Sequence, residues 1–137
     1  MFQLSRPAVV QVLGLVGFLV TLSLPAGGAP LYPKSKLPVG LSPRSVAVAD
    51  VNGDGMPDLV TANFLSSDVS VLLGLGNGSF RRQQRFAAGA NPVSVAVVDV
   101  NGDGTPDLVA ANQYSNDISL LLGRGDGTFV PQRRFAA

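Results

Sequence analysis

At 137 residues the chain suits one domain, and an apolar leader takes a share of that length. It contains no His, Cys, Trp or Glu. That removes the commonest general base, the thiol nucleophile and the usual nitrogen and sulfur ligands of zinc. Ten Lys+Arg face nine Asp; setting aside Arg6 in the leader leaves nine against nine. A near-neutral chain gives no reason to expect nucleic acid or an anionic membrane surface as a partner.

Met1 to Arg6 is short and carries one positive charge, and Ala8 to Leu24 has no charged residue. Pro25, Ala26, Gly27, Gly28 and Ala29 then break the run with small side chains. This order is the grammar of a secretory signal peptide, read here as a signal helix over residues 1–29 with cleavage near Gly28 or Ala29. An uncleaved membrane anchor is the competing reading, because a run of this length barely spans a hydrocarbon core of about 30 Å. The small residues after the break favour cleavage, and the membrane would be met only through an uncleaved leader. A secreted, periplasmic or cell-surface location follows. Residues 30–43 read as a linker, since Pro30, Pro33, Pro38 and Pro43 oppose a regular ladder.

Beyond the linker, every strand signal occurs twice, 49 residues apart. Ser45–Val51, Asp58–Asn63, Asp68–Leu73 and Ser79–Phe86 are the predicted strands of a first unit over residues 44–88. Ser94–Val100, Asp107–Asn112, Asp117–Leu122 and Thr128–Phe135 repeat them in a second unit over residues 89–137. Gly76-Asn77-Gly78 and Gly125-Asp126-Gly127 carry hairpin chemistry. Runs such as Val71-Leu72-Leu73 fit a strand buried on both faces. Four strands per unit of about 50 residues is the arithmetic of a propeller blade. The predicted fold is therefore all-β, with two four-stranded antiparallel blades of a partial propeller.

Between the first two strands of each unit lies an acidic loop. One copy is Asp50-Val51-Asn52-Gly53-Asp54-Gly55-Met56-Pro57-Asp58; the other is Asp99-Val100-Asn101-Gly102-Asp103-Gly104-Thr105-Pro106-Asp107. Six of the nine aspartates fall in these loops, and uncompensated like charges at such spacing repel. A hard cation such as Ca²⁺ takes about six to eight oxygens at about 2.3–2.6 Å, which alternate residues of a curled backbone can supply. Asp50, Asn52, Asp54 and Asp58 offer side-chain oxygens and Met56 a backbone carbonyl. Asp99, Asn101, Asp103 and Asp107 do the same in the second copy, with Thr105 in the place of Met56. Asn-Gly and Asp-Gly are also plain turn dipeptides, so turn and cation site are compatible readings. An EF-hand is rejected: it needs a Glu at position 12 and flanking helices, whereas position 12 is Thr61 or Ala110 and the flanks are Val-rich. Mg²⁺ prefers a stiffer octahedron with several waters, which leaves two Ca²⁺ sites as the expectation.

The string D-V-N-G-D-G-x-P-D-L-V-x-A-N, followed by Leu-Leu-Gly-x-Gly-x-Gly-x-Phe, resembles the FG-GAP/VCBS-type repeat of integrin-α-like β-propellers. The likeness covers roughly residues 38–137 and is specific. It implies four antiparallel strands per repeat, with Ca²⁺ held between the first two. Residue by residue it carries ligand roles to Asp50, Asn52, Asp54 and Asp58, and to Asp99, Asn101, Asp103 and Asp107.

Paired carboxylates occur only inside these loops, where catalysis would compete with ligation, so no enzyme is expected. The leading functional expectation is a secreted or cell-surface Ca²⁺-binding propeller segment for adhesion or recognition, with a protein or glycan ligand. The alternatives are an accessory repeat region of an exported carbohydrate-active enzyme and a structural spacer. Arg81, Arg82 and Arg85, with Arg133 and Arg134, read as a solvated outer face in preference to a glycan-binding patch. Closed propellers have about four to eight blades, so further blades of the same chain or self-association are the partners two blades imply. A fragment of a longer reading frame is favoured over short chains that assemble into a ring.

Overall fold

The computed structural model describes residues 9–13, 19–23 and 36–137; for the first two of these segments it describes the backbone only. Met1–Lys36 and Leu37–Ala137 form separate compact units. In the first, β1 (Val9–Leu13) pairs antiparallel with β2 (Leu19–Ser23). These two segments are strands, not the turns of the signal helix expected there. Their β-branched content, Val9, Val10, Val12, Val20 and Thr21, favours the extended backbone. The remainder of the predicted leader, its cleavage region and most of the Pro-rich linker lie outside the described residues.

The second unit holds two four-stranded antiparallel sheets, each a simple meander. β3 (Pro43–Ala49), β4 (Asp58–Asn63), β5 (Asp68–Leu72) and β6 (Gln84–Ala87) form the first in that order. β7 (Pro92–Val98), β8 (Asp107–Asn112), β9 (Asp117–Leu121) and β10 (Arg133–Ala136) form the second. The second and third strands of each sheet begin at the residues the sequence indicated. The outer two differ, and for local reasons. β3 and β7 start two residues early, at a proline that needs no ladder partner for its missing N–H and sits ahead of a register shift. They stop before Val51 and Val100, whose N–H groups turn away to a side chain. The predicted fourth strands are interrupted: Phe80 and Phe129 make single bridges to Gly74 and Gly123, and pairing resumes only at β6 and β10.

The end of the expected linker belongs to the first sheet. Gly40 N donates to Ser70 Oγ at 3.1 Å and Leu41 N to Ser66 Oγ at 2.9 Å. Gly89 and Ala90 repeat both bonds with Ser119 and Ser115.

The core lies between the sheets. Val51, Val60, Val69 and Val71 of the first pack with Val95, Leu108, Ala110 and Leu121 of the second, all buried. Phe86 and Phe129 meet edge to face at 5.3 Å and 80°, the geometry that aromatic quadrupoles prefer. Burial of each large apolar side chain stabilises by about 1.5–3 kcal/mol. Polar bonds fix the register of the junction: Gln132 Nε2 donates to Ala88 O at 3.0 Å and Asn91 Nδ2 to Phe64 O at 3.1 Å.

Candidate functional site

The acidic loops sit at the same place in each sheet, joining its first strand to its second. Register brings their ends together, since Ala49 opposes Asp58 and Val98 opposes Asp107. Between those pairs the chain curls tightly, and Gly53, Gly55, Gly102 and Gly104 all adopt positive φ, from 75° to 84°, where a side chain would be strained.

Curling turns backbone N–H groups inward. Asp50 Oδ1 accepts from Gly53 N at 2.7 Å and Asp54 N at 3.2 Å, and Oδ2 accepts from Gly55 N at 2.7 Å. Asp99 repeats this with Gly102, Asp103 and Gly104. Asn52 Oδ1 accepts from Asp54 N, while Asn52 Nδ2 donates to Asp54 Oδ2 at 2.8 Å. Asn101 and Asp103 copy both bonds. Met56 N donates to Asp54 Oδ1, and Thr105 N to Asp103 Oδ1, each at 2.8 Å. Met56 itself is exposed and Thr105 half-buried. Two nine-residue stretches thus fold into one hydrogen-bond pattern.

These donors set the charge state. The Gly55 N–H, followed by those of Gly53, Asn52 and Asp54, holds Asp50 below the usual carboxylate range against the opposing effect of burial. The Thr105 N–H and then the Asn101 side chain do so for Asp103. Both are therefore ionised at neutral pH. Among the described residues, the ion pairs are Arg85 with Asp68 and Arg134 with Asp117. Among those residues no Arg or Lys nitrogen pairs with a loop carboxylate, and the compensation seen there comes from amide dipoles.

Asp58 and Asp107 occupy a different environment. Both are fully buried. Asp58 Oδ2 accepts from Val51 N at 2.8 Å and Oδ1 from Gly74 N at 2.7 Å. Asp107 does the same with Val100 N and Gly123 N. Each carboxylate thereby clasps the acidic loop to the chain leaving the third strand. The clasp explains Gly74 and Gly123: a Cβ there would stand 2.2 Å from Pro57 O and 2.1 Å from Pro106 O.

With Met56 and Thr105 contributing backbone carbonyls, the ten residues singled out offer oxygen donors, which suit a hard cation. The Asp and Asn side chains accept from backbone amides, and among the described residues no three acidic groups converge on one point. Ligation by Asp50, Asn52 and Asp54, or by Asp99, Asn101 and Asp103, would require these side chains to turn from their present hydrogen-bond partners.

A further polar cluster stands beside each loop-bearing sheet. Asn63 Nδ2 donates to Asp68 Oδ1 and Ser70 Oγ, and Arg85 binds Asp68 Oδ2. Asn112, Asp117, Ser119 and Arg134 repeat it. Arg85 and Arg134 are thus paired, whereas Arg81, Arg82 and Arg133 stay exposed as the solvated-face reading expects. The signal for the cluster was the recurrence of Asn, Asp, Ser and Arg at one offset in both units.

Two meanders, each with an acidic loop after its first strand, define a β-propeller-type repeat segment. The family model for the FG-GAP-like repeat matches residues 50–110 and 99–137, and the chain belongs to that family. A search of curated proteins finds no match.

Proposed function

We propose that the chain is a calcium-binding segment of an exported or cell-surface protein that serves adhesion or recognition. The observation that carries this reading is the duplicated acidic loop, which has no paired Arg or Lys among the described residues. A divalent cation compensates such a charge better than amide dipoles alone, and oxygen donors select Ca²⁺ over softer metals. Bound there, calcium pins the first two strands of each repeat and supplies no chemistry of its own. The apolar leader and the FG-GAP-like repeat, which occurs in extracellular and surface proteins, support export. The binding partner is a protein or a glycan.

Calorimetric titration of the chain with CaCl₂ should register heat from two sites, and calcium at a hundred times its Kd should add about 2.7 kcal/mol of stability per site. EDTA should reverse that gain, and Asp54→Ala with Asp103→Ala should abolish it. Absence of both heat and a melting shift sinks the reading.

A further inference from the structure

The junction between the two sheets uses one face of each, and the unit Leu37–Ala137 carries both faces a second time without a partner inside that unit. At the junction the second sheet covers Val51, Val60, Val69 and Val71 of the first. Their counterparts 49 residues on, Val100, Val109, Ile118 and Leu120, line with Phe135 a wholly apolar depression of about 270 Å³ on the second sheet. Val51 is 1% exposed and Val100 51%; Val69 is 0% exposed and Ile118 39%.

The other half of the junction shows the reverse. Val95 of the second sheet is 7% exposed, and its counterpart Val46 is 60% exposed. Phe129 is buried against Phe86, while its counterpart Phe80 is only half-buried. A Cβ on Gly127 would stand 2.8 Å from Leu73 Cδ2, so close do the sheets approach there; at Gly78 a Cβ would meet nothing within 4 Å. Each open face thus repeats, in apolar character and nearly in residue identity, a face that the junction shows to be complementary to the other.

We propose that the two open faces take each other between molecules. The outer face of the second sheet, centred on Ile118 and Phe135, docks on the outer face of the first sheet of another copy, centred on Val46 and Phe80. Phe80 of that copy meets Phe135 as Phe129 meets Phe86, and its Gln83 takes the place of Gln132. The contact is heterologous, so it propagates into a closed ring or a filament and does not stop at a dimer. It stands apart from the cation reading, because calcium uptake by non-associating variants tests that reading separately.

Sedimentation velocity on the full chain should show species larger than the 14.1 kDa monomer, growing with concentration. Val46→Glu and Ile118→Glu each charge one open face at an exposed position, and circular dichroism checks that the strands persist. Each variant alone should sediment as a monomer. Their equimolar mixture should give a dimer, because one intact face of each kind remains. A parent chain that stays monomeric, variants that keep the parent distribution, or a mixture that stays monomeric would each overturn the proposal.

A cross-link gives a second reading. Within the molecule Val95 N lies 3.3 Å from Ser45 Oγ, so Val46 of one copy and Ser94 of another come together in the docked pair. The chain has no cysteine. Val46→Cys in one preparation and Ser94→Cys in another should oxidise to the mixed dimer at least tenfold over either symmetric dimer; equal yields refute the contact.

Discussion

Asn112 Oδ1 is buried and has no hydrogen-bond partner among the described residues. Its counterpart Asn63 Oδ1 accepts from Thr61 Oγ1 at 3.0 Å, and the second repeat has Ala110 where the first has Thr61. The two asparagines otherwise make the same bonds, which isolates a single missing hydroxyl. Leaving a buried acceptor unsatisfied costs about 1–3 kcal/mol. Ala110→Thr restores the donor but adds two heavy atoms at a fully buried position, where overpacking costs about 1–3 kcal/mol. Ala110→Val adds the same bulk without the hydroxyl, so the comparison of the two variants cancels the steric cost. With a waiting acceptor, threonine should be the more stable by about 1 kcal/mol or more. Without one, its hydroxyl would be buried unpaired and valine would win by about as much. Urea unfolding measures the difference, which corresponds to roughly 4–8 °C in Tm per kcal/mol for a unit of this size. Thr61→Val should show the matching loss in the first repeat. Valine at position 110 proving the more stable would refute the reasoning.

The clasp and the cation reading are separable. In EDTA, Asp58→Ala should cost roughly 2–5 kcal/mol, because two buried N–H groups lose their acceptor; a loss seen only in calcium would make Asp58 a ligand instead. Gly74→Ala should destabilise by more than about 2 kcal/mol through its contact with a backbone oxygen. Gly53→Ala, which enters open space and is strained only by φ, should cost about 1–2 kcal/mol in the same denaturation assay. Burial alone would raise the carboxyl of Asp117, but hydrogen bonds from Ser115 and Asn112 and the Arg134 guanidinium outweigh it and hold the group below its usual range. Its contribution is then present above the unfolded value of about 3.9 and lost as pH falls through the lower folded value. Asp117→Asn should flatten the fall of stability below about pH 4, and an unchanged slope in acid unfolding would contradict that account.

The duplicated strand signals and the turn chemistry made the two meanders legible, because period-two patterning, Gly-rich turns and a fixed offset are properties of the local chain. The ends of strands were less so. Pro43 reads as a ladder breaker, yet it opens β3, since a register shift leaves its missing N–H unasked for. Arg85 reads as a surface charge, and only the pairing of β5 with β6 shows that it neutralises Asp68.

By itself the sequence determined an all-β repeat pair, the curled acidic loops and the six aspartates in them. Those follow from neighbours in the chain, through glycine φ and side-chain-to-amide bonds over a few residues. Tertiary structure alone decided that Asp58 and Asp107 are buried clasps, since Gly74 and Gly123 lie sixteen residues away. It alone also decided which copy of each valine is covered. Val51 and Val100 are the same residue in the same motif, and they differ only in whether another sheet lies against them.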